Sequence, residues 1–501
     1  MSLDLFRTKS IEQSMLDTDE PEYQLKKSLT AVDLTVFGVG IIVGAGIFTM
    51  TGRVANQVSG PAVVLSFALA ALCCGFAALC YAEFASAVPV SGSAYTFSYA
   101  SMGEFIAWIV GWDLILELFL AAAVVSQGWS AYLGILLGYF DISLPASISY
   151  GGTVDVPAMV LVLVLGVLVT IGIKESMRVE TVLVAVKVAI VLFVIFAGLA
   201  FINRANYSPY IPPSQPIEGV TNRWKQPLVQ WALGLEPSAY GVGGIFAGAA
   251  LVFFAFLGFD VVATAAEETK NPQRDLPRGI IGSLVICTVL YCAVATVVTG
   301  MVRYDKMKPS GALADAFAQQ GKTWMAVVIA IGAVVGLTTV VLTQMTGCTR
   351  LVFAMSRDNL LPISLAKVHP RFRTPWVITA WMTVIIALIA GLTPIGNLEE
   401  MVNIGTLAAF VMVSIGVPVM RRTLPDVKRP FKVPFSPVLP VISALICSYM
   451  MLNLAVETWL RFLVWLAIGF AIYFGYSRSH SRVRTGRELP RDLEQALREN
   501  H

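Results

Sequence analysis

Gly38-Val39-Gly40-Ile41-Ile42-Val43-Gly44-Ala45-Gly46-Ile47-Phe48 lies inside an apolar run, roughly 31–57, that is long enough to cross a bilayer. Its glycines make it a poor helix, because each costs about 1 kcal/mol relative to Ala. Hydrocarbon tolerates an unwound backbone only where it is buried in protein or lines a wet cavity. The stretch therefore predicts a broken span with a solute site at mid-membrane, where free amides and carbonyls serve as ligands.

The rest of the chain has the composition such a span requires. Its 501 residues are 56% hydrophobic and 13% charged, with a mean hydropathy of +0.74. Soluble domains carry about 25% charged residues, so an all-α polytopic membrane protein is expected. The stretch 1–28 is polar and has no apolar core, so no cleavable signal peptide is expected. Cys73, Cys74, Cys80, Cys287, Cys292, Cys348 and Cys447 all sit in apolar runs, with spacings that match no zinc or redox motif. They read as small buried hydrophobes. His369, His480 and His501 lie in polar segments, which argues against a metal centre or a histidine-based hydrolase; no cofactor is expected.

Apolar runs of about 20 residues mark twelve expected spans, roughly 31–57, 61–88, 103–138, 156–173, 180–202, 243–266, 277–302, 323–356, 375–392, 397–420, 435–455 and 459–477. An even number puts both termini on one face. Of the 35 Lys and Arg, 24 flank the spans on that face and nine on the other, while Lys187 and Arg350 fall inside spans. The positive-inside rule then makes both termini cytoplasmic. The proline-rich connection 203–242 is expected outside. It separates two five-span blocks, 31–202 and 243–420. Because five is odd, the second block is inverted relative to the first, as in many secondary transporters. Segment 1–30, the two further spans within 421–477 and the tail 478–501 complete the expected organisation.

The repeat predicts a second break in the sixth span. There Phe253-Phe254-Ala255-Phe256-Leu257-Gly258-Phe259-Asp260 is an aromatic stretch interrupted by Ala255 and Gly258 and closed by an acidic residue.

These segments resemble the amino acid–polyamine–organocation superfamily, and within it the bacterial relatives of the cationic amino acid transporters. The likeness runs from about Ser28 to Ser477. It rests on Gly38–Phe48, on Tyr81-Ala82-Glu83-Phe84 through Pro89-Val90-Ser91-Gly92-Ser93-Ala94-Tyr95, and on Gly111-Trp112-Asp113-Leu114-Ile115-Leu116-Glu117. It continues in Glu267-Glu268-Thr269-Lys270-Asn271-Pro272-Gln273-Arg274-Asp275-Leu276-Pro277, Thr349-Arg350-Leu351 and Ser356-Arg357-Asp358. The resemblance implies a leucine-transporter-like fold, five plus five inverted helices with two more at the C-terminal end, that carries amino acids by alternating access. It implies a substrate pocket formed by Ile42, Ala45 and Gly46 with Phe254, Ala255 and Leu257. Phe254 is then an external gate, and Lys187 stands where sodium-coupled relatives bind sodium.

An amino acid presents a carboxylate, an ammonium and a side chain. A half-helix N-terminus near Gly44–Gly46 suits the carboxylate, and released carbonyls suit the ammonium. Glycine allows close approach of the backbone, although Gly40, Gly44 and Gly46 could equally serve tight helix packing. Lys187 lies about seven residues into the fifth span. An ammonium in a bilayer costs roughly 3 kcal/mol on insertion scales and usually marks function. It reads either as a proton-coupling switch acting on carbonyls of the first span or as a snorkelling side chain, about 10 Å from the cytoplasmic edge. Glu117 either faces the pocket or is a structural carboxylate. Gln344 and Met345 either floor the pocket or pack against the first span. No carboxylate is evident on the pocket segments themselves, which favours small neutral substrates over cationic ones. Glu83, with Arg274, Asp275, Arg350 and Arg357, reads as an inner ionic gate or as a set of interfacial charges. The basic tail Arg478–Arg498 points to anionic lipid rather than nucleic acid.

The leading reading is a proton-coupled importer of amino acids in the bacterial plasma membrane. An exchanger of amino acids, or of an amino acid for an amine, is the alternative on the same fold. A nutrient sensor would be expected to carry a longer soluble domain. An enzyme would need a nucleophile–base pair or phosphate loop, neither of which is readable. Repeats and broken helices suit alternating access better than a channel. An accessory membrane subunit is left open.

Overall fold

The computed structural model describes residue 7 and residues 29–44, 46–87, 93–172, 177–216, 223–236, 238–372 and 374–485. Helix dominates. The one sheet among the described residues is a pair of two-residue strands, Gln215–Pro216 and Ser238–Ala239.

The first span starts at a capping box. The Thr30 amide donates to Asp33 Oδ2 at 2.9 Å, and the Asp33 amide donates back to Thr30 Oγ1 at 3.4 Å. Two of the otherwise unsatisfied amides of the first turn are thereby bonded. Helix α1 (Ala31–Ile42) stops at Val43, whose ψ of 83° is not helical. The backbone then resumes as a widened π-type coil over Gly46–Met50, a short α-turn Thr51–Val54 and a second wide stretch Ala55–Ser59. Gly60, at φ 64°, turns the chain into α2 (Val63–Ala87). Then come α3 (Ser93–Ser101) and α4 (Glu104–Tyr139), whose 36 residues make a rod of about 54 Å that must tilt to fit a bilayer. Helix α5 (Val156–Ile171) is capped by Asp155 and ends at Gly172 with φ 77°, and α6 (Met177–Gly198) closes the first half.

The second half opens with α7 (Gly241–Val252). This helix tightens into a 3₁₀ turn at Phe253–Phe256, becomes extended at Leu257 and reverses at Gly258, φ 109°, before a second 3₁₀ stretch Val261–Glu268. Gly258 is the position where a left-handed conformation requires glycine. Helices α8 (Pro272–Met301), α9 (Ala312–Gln319), α10 (Thr323–Arg357), α11 (Trp376–Leu392), α12 (Ile395–Thr423), α13 (Val438–Leu452) and α14 (Val456–Ile472) follow.

Among the described residues, eight segments are long and apolar enough to cross a membrane, and Val156–Ile171, Trp376–Leu392 and Val438–Leu452 are shorter apolar helices. The first of the eight, Ala31–Ala87, contains two of the expected spans joined at the turn Gly60–Ala62. The long rods α4 and α10 pack on each other, α12 packs on α4, and α8 packs on both α1 and α2. Small residues bring backbones close: Gly166 of α5 abuts Thr383 of α11, and Gly391 abuts Met159. In a bilayer such close van der Waals contact replaces the missing hydrophobic drive between helices. Large apolar side chains such as Val160, Val164 and Val167 of α5 and Phe196 of α6 face outward, as a lipid-bathed surface requires.

Candidate functional site

The two interruptions face each other. A Cβ on Gly46 would overlap the backbone of Ala255, and one on Gly258 would overlap the side chain of Ile41. Gly44 lies against Val340 of α10, at 3.1 Å from where its Cβ would be. Gln344 sits one turn further along the same face of α10, with Met345 beside it, both buried. Ile42, Phe254, Ala255 and Leu257 are buried around this meeting point, while Ala45 lies outside the described residues.

Backbone carbonyls on both sides of the break in the first span accept from side chains of three other helices. Lys187 Nζ of α6 donates to Gly40 O at 3.0 Å, Tyr291 of α8 donates to Ile42 O at 2.6 Å, and Tyr132 of α4 donates to Phe48 O at 2.8 Å. Sequence reasoning missed both tyrosines. A lone Tyr in an apolar run is ordinary, and only the fold reveals that its hydroxyl meets an opened backbone. Lys187 is buried, and its aliphatic stem lies over Gly336. Its side chain thus runs inward to the break and not outward to the lipid boundary. The end of α7 is held in a similar way: Asn403 of α12 donates to Ala250 O at 2.9 Å and to Leu251 O at 3.0 Å.

A carboxylate does belong to this region, contrary to the reading of the pocket segments by themselves. The extended Leu257 and the reversal at Gly258 carry Asp260 round to within electrostatic reach of Glu117, with Thr406 of α12 also at the Glu117 carboxylate. Asp260 accepts hydrogen bonds from backbone amides of its own turn. Tyr81, whose ring packs edge-on between Phe259 and Phe410, lies close to both acids.

The charges beyond the break sort differently from the expected inner gate. Glu83, fully buried at the end of α2, holds Arg421 in a two-pronged pair at 2.8 and 2.7 Å and accepts from the Val433 amide at 2.7 Å. Arg274 and Arg350 are exposed. The end of α2 packs on α12, so the carboxylate meets the arginine at the end of that helix. At the far end of the first span, Arg53 pairs with the buried Glu399 of α12. A Cβ at Gly396 would overlap its guanidinium. The neighbouring Glu400 accepts from Thr458 of α14. Adjacent acids opening an apolar span were the available sequence signal for this pairing.

Two interrupted apolar helices in contact inside the bundle, their backbones held by side chains from the surrounding helices, are the arrangement of a membrane carrier. Comparison with known proteins is in accord. A family model described as "Amino acid permease" matches residues 29–475. The chain is 45% identical over 488 residues to the "Branched-chain amino acid permease BcaP" of Bacillus subtilis (strain 168), covering 96% of this chain and 99% of that one. It is 43% identical over 484 residues to the "Methylthioribose transporter" of the same organism, covering 95% and 98%. It is 30% identical over 606 aligned residues to the "Cationic amino acid transporter 4, vacuolar" of Arabidopsis thaliana, covering 97% of each. The chain belongs to the amino acid permease family of the amino acid–polyamine–organocation superfamily. It is a multi-pass membrane transporter of amino acids and not an enzyme.

Proposed function

We propose that the protein imports small neutral L-amino acids, branched aliphatic ones among them, across the bacterial plasma membrane by alternating access, with proton movement coupled through Lys187. The observation that carries this reading is the 3.0 Å bond from Lys187 Nζ to Gly40 O. It joins a titratable side chain of α6 directly to the opened backbone of α1. Protonated, the amine holds α1 closed against α6. Neutral, it makes a weaker bond and lets the half-helix move. Substrate binds where the Gly44–Gly46 amides can take a carboxylate and the broken ends of α1 and α7 can take an ammonium.

Ile42, Val340, Phe254, Leu257 and Met345 make an apolar surround suited to an aliphatic side chain, and the printed name of the Bacillus permease supports that substrate class. Phe254 covers the site from outside, and Glu117, Asp260 and Gln344 border it. Inner closure rests on Glu83 with Arg421, Arg274 and Arg350 being peripheral to it. The breaks after Ile42 and at Leu257–Gly258 occupy corresponding places in 31–202 and 243–420, which supports two inverted five-helix repeats; a twelve-span chain with cytoplasmic termini rests on the loop charges.

One observation favours a second substrate. The relative named a methylthioribose transporter is 43% identical, and a sugar thioether needs neither carboxylate nor ammonium ligands. Exchange without net proton flow is the second mode. Proteoliposomes loaded at alkaline pH and diluted into acidic buffer distinguish these readings. Uphill accumulation of labelled leucine, isoleucine or valine only when the gradient is present supports the proposal. Counterflow without net accumulation supports exchange, and uptake of methylthioribose that leucine does not compete supports the sugar reading.

A further inference from the structure

The segment 223–236, in the connection between the two halves, buries two amide side chains and exposes several large apolar ones. Gln226 and Gln230 are buried, at 3% and 9% exposure, and their Oε1 atoms accept no hydrogen bond. Trp231, Leu233 and Leu235 instead point away from the protein at 45%, 68% and 55% exposure, and Trp224 is exposed as well. A loop bathed in water arranges these residue types the other way round. The outward environment of this segment is therefore amphipathic, apolar at Trp231, Leu233 and Leu235 and polar at the exposed Lys225 and Glu236 that flank them.

Its position says which environment that is. The short helix Leu228–Ala232 is fastened by its backbone to the tight turn between α13 and α14. The Leu228 amide donates to Leu454 O at 2.9 Å, the Val456 amide donates to Gln226 O at 3.1 Å, and Pro227 bridges to Ala455. Helix α13 has 15 residues, about 22 Å of helix against a hydrocarbon core of about 30 Å. A helix that short draws its turn down towards the hydrocarbon boundary, and the attached segment comes with it. Tyr449 and Leu452 of α13 and Leu460 and Leu463 of α14 are exposed beside it, so its apolar face continues the lipid-facing surface of those two helices. Tryptophan, with an apolar body and a polar N–H, is the residue enriched at that depth.

We propose that residues 223–236 form an interfacial elbow whose Trp231, Leu233 and Leu235 insert into the lipid leaflet on the face opposite the chain's tails. The elbow leads through Ser238–Ala239 directly into α7, and the Gln230 side chain lies near Gly243 in the first turn of that helix. The leaflet thus acts as a fixed post for the end of the interrupted span that carries Phe254.

The test places a nitroxide on Leu233→Cys and, separately, on Leu235→Cys, in a Cys292→Ala background, since the other cysteines are buried. The protein is reconstituted in phospholipid vesicles, and a nitroxide on Lys322→Cys serves as the water-facing reference. Both elbow positions are expected to relax with dissolved oxygen and to resist a water-soluble nickel chelate, giving an oxygen-to-nickel collision ratio several-fold above the reference. A ratio equal to that of the reference would place the elbow in water and overturn the inference. Protection from both reagents would also overturn it, because a second copy or another protein, and not lipid, would then cover the face.

Discussion

Replacing Lys187 tests the coupling proposal most directly. The bond from its ammonium to Gly40 O joins a charged donor to a neutral acceptor, a class that contributes about 1.5–3 kcal/mol, against about 0.5–1.5 kcal/mol for a neutral pair. Loss of the proton therefore weakens the tie between α6 and α1 by roughly 1–2 kcal/mol, a five- to thirty-fold change in the ratio of closed to open states. Lys187→Met removes the donor and leaves a buried carbonyl unbonded, at about 1–3 kcal/mol. Lys187→Arg keeps a charge that does not titrate. In proteoliposomes the wild-type protein is expected to concentrate labelled leucine against its gradient when the outside is acidic. Both variants are expected to equilibrate leucine without concentrating it, at rates independent of pH, while counterflow exchange persists. Gel filtration and thermal unfolding in detergent verify that the variants are folded. Uphill accumulation by either variant under the same proton gradient would refute the reasoning, because the tie would then be structural and the proton would travel elsewhere.

Gly46→Val should abolish the ligand-induced rise in melting temperature, since any side chain there meets the Ala255 backbone and overpacking costs about 1–3 kcal/mol; an unchanged shift with leucine would count against the site. Phe254→Ala should speed release of bound substrate to the outside, seen as faster exchange with less occlusion, and wild-type rates would contradict its role as a cover. Glu83→Gln should lower stability by about 3 kcal/mol, the lower end for breaking a buried charge pair, because the Arg421 partner is 28% exposed. Arg274→Ala and Arg350→Ala should leave the melting temperature within a degree or so of wild type, as exposed charges contribute little, and a large drop in either would restore them to the inner closure. Glu399→Gln should loosen the hold on Arg53, read as increased labelling of a cysteine placed near the Arg53 end of the first span; unchanged accessibility would mark the pair as purely structural.

Sequence alone determined the membrane class, the first break and the place of the second. These are properties of local composition. A glycine cluster in an apolar run cannot hold a regular helix, and Gly258 is where the chain had to reverse, as its φ of 109° bears out. A lysine inside a span was equally legible, because the cost of burying an ammonium makes it conspicuous. Tertiary structure decided the partners. Whether Lys187 snorkels or turns inward depends on where Gly40 lies across 147 residues of chain. Tyr132 and Tyr291 bond carbonyls on the two sides of the break only because α4 and α8 pass beside it. Asp260 joined Glu117 only after the turn at Leu257–Gly258 brought it round. Glu83 found Arg421 and not Arg274 or Arg350 because α2 packs on α12. Periodicity and composition act over a few turns of helix, whereas hydrogen bonds and ion pairs act over a few ångströms between segments distant in sequence, and packing alone selects which distant groups meet.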